Sequence, residues 1–197
     1  MRGNHEIRAI QNKYSFAKEL INKYGKQHGQ EFFDLYNYVF DRLPFCAVIN
    51  KSIYAAHGGI PFTIIDLDHL DKATPHCVSE PEKQAVSEWE ILRSDPQEYS
   101  KWGEMAEEQG VRLDTSNTSY MYLHNKKRGT AYVFNEYAVL RFLRTNQLQY
   151  VIRAHEVPAD GFKFDLGMLC VAIFSCSHYC GNSNDAAVML IDRDARM

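Results

Sequence analysis

Apolar residues recur at three- and four-residue spacings through the first forty positions, then give way to short continuous apolar runs. In the first stretch, to about Leu43, Tyr14, Ala17, Leu20, Ile21 and Tyr24 fall on one face of a helix that Gly25 ends. Phe32, Phe33, Leu35, Tyr36, Val39 and Phe40 begin a second helix, which Pro44 closes. Apolar runs over 45–49 and 53–56, separated by the turn-forming Asn50, Lys51 and Ser52, predict a tight hairpin. From Pro61 to about Asp95 the chain is polar and predicts short helices among loops. The stretch from Lys101 to Asn125 is weakly patterned around a loop-like centre at 115–119. Phe134 to Leu148 reads as a helix with Asn135 as its N-cap. Continuous apolar runs over 150–152, 169–174 and 186–191 predict strands buried on both faces. Helices first and then mostly strands predict a mixed α/β sandwich, with no internal repeat.

Composition narrows the function classes. The chain has 197 residues, 45% hydrophobic and 24% charged, which suits one large globular domain or part of one. A net charge of -3 and the lack of a dense Lys/Arg stripe argue against nucleic acid as a partner. The one short basic run, Lys126, Lys127 and Arg128, reads locally as a solvated turn. No apolar run is long enough to cross a bilayer, and the first residues lack the regions of a signal peptide, so no membrane association is expected. The five cysteines lack C-x-x-C spacing, and three of them sit in apolar, strand-like stretches where a thiol behaves as a small buried hydrophobe. That usage points to a reducing compartment, cytoplasm or nucleus.

Three of the eight histidines share a local context. His5 lies between an Arg-Gly-Asn turn and a helix, His57 ends a strand before Gly58 and Gly59, and His155 ends the run over 150–154. Strand ends in α/β folds hold side chains rigidly while the loops leave access. Two imidazoles plus an amide or carboxylate oxygen would suit a first-row divalent metal. Taken singly, each histidine reads better as a hydrogen-bonded or surface residue, and the glycines beside His5 and His57 favour the ligand reading.

Six motifs occur in a definite order: Arg2-Gly3-Asn4-His5-Glu6, His57-Gly58-Gly59, Ser94-Asp95-Pro96, Arg128-Gly129, Arg153-Ala154-His155, and the stretch from Phe174 to Cys180. That series resembles the phosphoprotein phosphatases, the metal-dependent serine/threonine protein phosphatases of the calcineurin-like kind, from Met1 to about Asp192. The resemblance implies an α/β fold of α+β character, part of the calcineurin-like metallophosphoesterase β-sandwich flanked by helices and lacking its N-terminal strands. It implies an incomplete catalytic domain over 1–192 and a short tail over 193–197. It further implies hydrolysis of phosphoserine and phosphothreonine on proteins, with two divalent metal ions (manganese, or iron with zinc) in the complete domain. By the same resemblance Asn4, His57 and His155 match metal ligands, and His5 matches the general acid. Arg128 and Tyr179 match phosphate-binding residues, and Asp95 an acidic residue lining the substrate approach. An Asp-Pro turn remains the alternative for Asp95. Partners would be phosphoprotein substrates and regulatory subunits. Cysteine-based phosphate chemistry does not fit, since the position six residues after Cys46 is Ser52 and after Cys180 is Ala186, where an arginine would be needed.

The series departs from the family in several places. The two aspartate motifs that supply the first metal's ligands and the bridging carboxylate are not in this chain. It is therefore expected, alone, to be metal-poor, aggregation-prone and inactive. Arg93 stands where type 1 and 2A enzymes have Trp, and His178 where many have Asn. The stretch 101–127 resembles an insertion near the active-site mouth. A non-catalytic binding module and a phosphoesterase acting on small phosphoesters are the competing readings.

Overall fold

A computed structural model describes residues 1–192, so the expected tail over 193–197 lies outside the described residues. Three helices come first: α1 (Arg8–Lys13), α2 (Phe16–Tyr24) and α3 (Lys26–Phe40). Tyr14 caps α1 and Ser15 turns left-handed, so the expected first helix is two pieces. Gly25, at φ 79°, ends α2 and opens α3. The two helices pack backbone to backbone, since a Cβ on Gly29 would fall 2.5 Å from Ile21 Cα. Leu20 and Phe33 are buried. Phe32, Leu35, Tyr36 and Val39 are exposed on α3. Spacing alone cannot say which side of a helix meets the core when its partner is another small helix.

The hairpin forms as predicted. It consists of β1 (Cys46–Ile49) and β2 (Ile53–Ala56), with Asn50 and Lys51 in left-handed conformations at the turn. Three short helices follow, α4 (Leu67–Ala73), α5 (Pro81–Gln84) and α6 (Val86–Arg93). Although the stretch reads as polar, Ile91 and Leu92 of α6 are fully buried. Glu90 is buried too, because its carboxylate accepts from the Phe62 and Thr63 amides (both 2.9 Å) and the Thr63 hydroxyl (2.7 Å).

The remaining elements are β3 (Asp95–Pro96), α7 (Trp102–Glu108), β4 (Tyr122–His124), β5 (Tyr132–Phe134), α8 (Glu136–Thr145), β6 (Tyr150–Arg153), β7 (Phe162–Asp165) and β8 (Cys170–Ile173). Asn135 caps α8, accepting from the Tyr137 and Ala138 amides. The weakly patterned 101–125 stretch is more ordered than its sequence suggests. It carries α7 and contributes Trp102, Ala106 and Leu123 to a small core of its own with Val133 of β5.

The strands make a five-stranded sheet in the order β1-β2-β6-β8-β7 and a three-stranded sheet in the order β3-β5-β4. In the larger sheet β2, β6 and β8 run parallel, while the edge pairs are antiparallel. Tyr54, Val151 and Cys170 of that sheet pack with Ile91 and Leu92 of α6 and with Val139 and Phe142 of α8 to form the main core. The consequence for chemistry is direct. The C-terminal ends of three adjacent parallel strands lie along one edge, and the next residues are His57, Ala154-His155 and Phe174.

Two expectations fail. The run over 186–191 is not a strand: Val188 and Leu190 are 84% and 87% exposed. Its neighbours are tied down, Asp185 N–H donating to Ala159 O and Ala187 N–H to Phe174 O, but no ladder forms beyond them among the described residues. A strand is decided by a paired edge, which apolar patterning does not provide. Only Cys46 and Cys170 lie in strands, where three cysteines were expected to; Cys77, Cys176 and Cys180 are exposed. Among the described residues, no helix is long and apolar enough to cross a membrane.

Candidate active site

The N-terminal motif is held by its own first arginine. The buried Arg2 guanidinium donates to Glu6 O from Nε (3.0 Å) and Nη2 (2.9 Å), and to Val78 O (2.5 Å). Glu6 returns its carboxylate to the Gly3 amide at 2.8 Å. The loop is thereby closed tightly enough that Asn4 is buried while His5 points out. A Cβ at position 3 would lie 2.7 Å from Glu6 Oε2 and 3.2 Å from the His57 ring, so a larger residue would push the Glu6 carboxylate off the Gly3 amide.

His57 follows β2 at once. Its approach is set by Gly58, whose amide, with that of Gly59, donates to Ile91 O of α6. A Cβ on Gly58 would fall 2.6 Å from that oxygen. His155 follows β6 in a left-handed conformation, φ 65°. Such a backbone costs a β-carbon-bearing residue on the order of 1–3 kcal/mol and persists where the surroundings impose it. Asn4, His57 and His155 converge: His57 Nε2 lies 2.7 Å from Asn4 Oδ1 and 3.0 Å from His155 Nδ1.

Burial first, then the positive charge of Arg153, His5 and Arg128, lowers the His57 pKa to about 4. Burial first, then His57 and Arg128, lowers that of His155 to about 2. Both rings are therefore neutral at pH 7, the form that offers a lone pair. One proton on His57 Nε2 can serve only one of its two neighbours well, whereas a cation at the meeting point would satisfy all three atoms. The other ring nitrogen of His155, Nε2, is buried with no hydrogen-bond partner among the described residues. That is where the tautomer proton sits if Nδ1 is to be the ligand. The donor set, two neutral imidazoles and an amide oxygen, fits a borderline divalent cation. Among the described residues, no group of three or more His, Cys, Asp or Glu side chains is placed to hold a metal. The trio depends on an amide.

Arg128 reaches the same cleft from the loop between β4 and β5. It is braced by Asp95, which accepts from its Nε (2.9 Å) and Nη2 (3.3 Å), and by His155 O (3.2 Å). Asp95 was expected to line the substrate approach. It lies beneath that surface, 5% exposed, and also accepts from Arg153 Nη2 (2.7 Å) and Asn125 Nδ2 (2.9 Å). Burial pushes its carboxyl up, but the Arg128 hydrogen bond and the charges of Arg153 and Arg128 outweigh this and hold it at about 2. Tyr179 lies on the cleft wall, its ring edge-on to Phe174 at 5.0 Å. His178, beside it, is exposed and left-handed. The cleft holds about 610 Å³ and is lined by Asn4, His5, His57, Arg128, His155 and Tyr179 among others.

Arg153 stands in one of the six motifs, but sequence reasoning assigned it no role. It is fully buried at the end of β6, donates to Gly58 O and to Glu156 Oε2 (2.5 Å), and so links both histidine-bearing strand ends to Asp95. Its signal was an arginine inside an otherwise apolar strand, which demands a buried partner.

Comparison with known proteins identifies the family. Residues 1–159 match the calcineurin-like phosphoesterase family. The chain is 29% identical, over 98% of its length, to the serine/threonine-protein phosphatase 4 catalytic subunit of Kluyveromyces lactis, and covers 54% of that protein. It is 30% identical, over 98% of its length, to the protein of the same name from Saccharomyces cerevisiae, and covers 54% of it. The solved structure of a Saccharomyces cerevisiae serine/threonine phosphatase with similarity to human phosphatase PP5 superposes with a TM-score of 0.71 at 25% identity. That superposition covers 93% of this chain and 49% of the other. The chain thus spans about half the length of these curated relatives. With most of its length matched by the family and the convergent side chains lying within the matched residues, the chain belongs to the calcineurin-like phosphoesterases.

Proposed function

We propose that this chain carries part of the centre of a serine/threonine protein phosphatase, and that the gene product hydrolyses phosphoserine and phosphothreonine esters on proteins. The observation behind the reading is the convergence of Asn4 Oδ1, His57 Nε2 and His155 Nδ1 beside the Arg128 guanidinium. A divalent cation bound there would supply Lewis acidity at a phosphoryl oxygen and polarise water. Asn4 offers an oxygen and the two histidines offer neutral nitrogens. Arg128, braced on one side by Asp95, presents the rest of its guanidinium to phosphate oxygens. His5 is exposed on the same cleft and would protonate the leaving serine or threonine oxygen. Tyr179 also lines the cleft and would contact the phosphate. The names of the relatives favour phosphoproteins as substrates, and regulatory subunits as partners.

The trio leaves a cation short of protein ligands, with no carboxylate among its members. Turnover by these 197 residues alone is accordingly expected to be low. The discriminating measurement is therefore metal binding. Titration of the chain with Mn²⁺ is expected to show one site that weakens more than tenfold in Asn4→Ala and in His155→Ala, the loss of one ligand of three. Binding unaltered by either substitution would sink the assignment. The natural gene product is expected to turn over a phosphothreonine peptide in preference to a dinucleoside polyphosphate. The reverse preference would favour a small-phosphoester enzyme.

A further inference from the structure

The cleft is far more cationic than the molecule. The chain as a whole carries a net charge of -3, yet among the described residues Lys13, Arg93, Lys127 and Arg128 all line this one cleft and no Asp or Glu does. Arg128 has a carboxylate partner in Asp95, which leaves the other three in surplus.

Arg93 is the informative one. It sits in the last turn of α6, its guanidinium over the Trp89 ring at 5.5 Å. That ring is itself pinned by Nε1 donating to Thr130 Oγ1 at 2.8 Å. Arg93 Nε is buried without a hydrogen-bond partner, and among the described residues the guanidinium enters no ion pair. A buried, unpaired guanidinium nitrogen is costly, and an anion or water from outside the protein is one way to offset that cost. Burial, and after it the like charge of Arg128, disfavours the Arg93 cation, with the charge of Asp95 opposing both. A fixed aromatic platform, a donor with no acceptor and a repelled positive charge describe a place that an anion would relieve.

We propose that Arg93 and Lys127 form a second anion subsite beside Arg128, so that the preferred substrate carries a further negatively charged side chain next to the phosphorylated residue. This rests on the phosphoprotein reading and specifies it: Arg128 takes the phosphate to be removed, and Arg93 with Lys127 takes a neighbouring phosphate or carboxylate. Arg93 supplies a planar, oriented donor pair, and Lys127 an exposed mobile charge at the rim.

The test is calorimetric titration of the chain, with Mn²⁺ present, by three peptides of one sequence. The first carries a single phosphothreonine, the second adds an adjacent phosphoserine, and the third an adjacent glutamate. At low salt the unaltered chain is expected to bind the second or third roughly tenfold more tightly than the first, the size of one charge-assisted contact. That ratio should fall towards one in Arg93→Gln and decline in Lys127→Ala, while Arg93→Lys retains part of it. It should also shrink at high ionic strength. Circular dichroism of each variant establishes that it is folded, and Lys127, being exposed, is safe to replace. Preference for the phosphoserine peptide alone supports the subsite and assigns it to phosphate; preference for both assigns it to anions generally. If the single-phosphate peptide binds and needs Arg128 but no second charge adds affinity, the subsite is refuted and the phosphatase reading stands. An unchanged ratio in both Arg93→Gln and Lys127→Ala refutes it equally. If no phosphopeptide binds the unaltered chain, the phosphate-site reading fails and the subsite falls with it.

Discussion

Replacing Asp95 by Asn removes one negative charge while keeping the side chain's shape. The carboxylate accepts four hydrogen bonds, from Arg128 Nε and Nη2, Arg153 Nη2 and Asn125 Nδ2, at 5% exposure. An amide in its place keeps one acceptor and leaves the fully buried Arg153 with only Glu156 as counter-ion. Breaking a buried pair from one side costs about 3–5 kcal/mol. The retained Glu156 contact and the amide oxygen put this case at the low end, about 3 kcal/mol. Linkage offers an independent route to the same figure. A carboxyl held at about 2 in the folded chain, against about 3.9 when unfolded, contributes about 2.5 kcal/mol of stability.

The sign follows from the direction of the shift. The folded pKa is depressed, so the contribution is present in full above about pH 4 and is lost as pH falls through about 2. Thermal and urea melts of the unaltered chain and Asp95→Asn at pH 7, 4 and 2.5 would measure both quantities. At pH 7 the variant should melt roughly 6–12 °C lower, as about 3 kcal/mol implies for a chain of this size. The gap should narrow towards pH 2.5 because only the unaltered chain loses this carboxylate's contribution. A loss below about 1 kcal/mol at pH 7, or a gap that stays constant with pH, would show that Asp95 is not the buried anchor described.

Three further substitutions test the frame around the site. Gly58→Ala would place a Cβ 2.6 Å from Ile91 O, so either the His57 strand end or α6 must shift; a loss of about 3 kcal/mol is expected in thermal melts. Asn135→Ala removes the α8 cap and orphans Tyr120 O, to which Asn135 Nδ2 donates at 2.7 Å, and is expected to cost about 2–3 kcal/mol in urea titrations. Val188→Ser combined with Leu190→Ser should leave stability within about 0.5 kcal/mol while lowering light scattering at matched concentration, since both side chains stand in solvent. A large destabilisation in that pair would mean that the run over 186–191 is packed in solution.

What could be read from the sequence was what neighbouring residues decide among themselves. Asn135 caps its helix through amides two and three residues on, Gly25 supplies a positive φ at a helix junction, and Asn50 with Lys51 turns a hairpin. His57 and His155 were legible for a similar reason, each standing where an apolar run stops. That they meet depends on β2 and β6 lying parallel and adjacent, a fact of topology that local spacing does not contain.

Asp95 and Arg153 show the limit more sharply. Fifty-eight residues separate them, and Asp95 before Pro96 looks like a turn until the opposing guanidinium is in place. The run over 186–191 shows the converse, since its apolar residues are those of a strand and it is not one. Patterning records a preference for burial, and burial needs a second surface. Where that surface is a neighbouring strand, as for β6 between β2 and β8, the preference becomes structure. Among the described residues none pairs with 188–191, and the preference is left standing in water. The same reasoning applies to Arg93, whose unpaired donor is a preference for an anion in a cleft with none of its own.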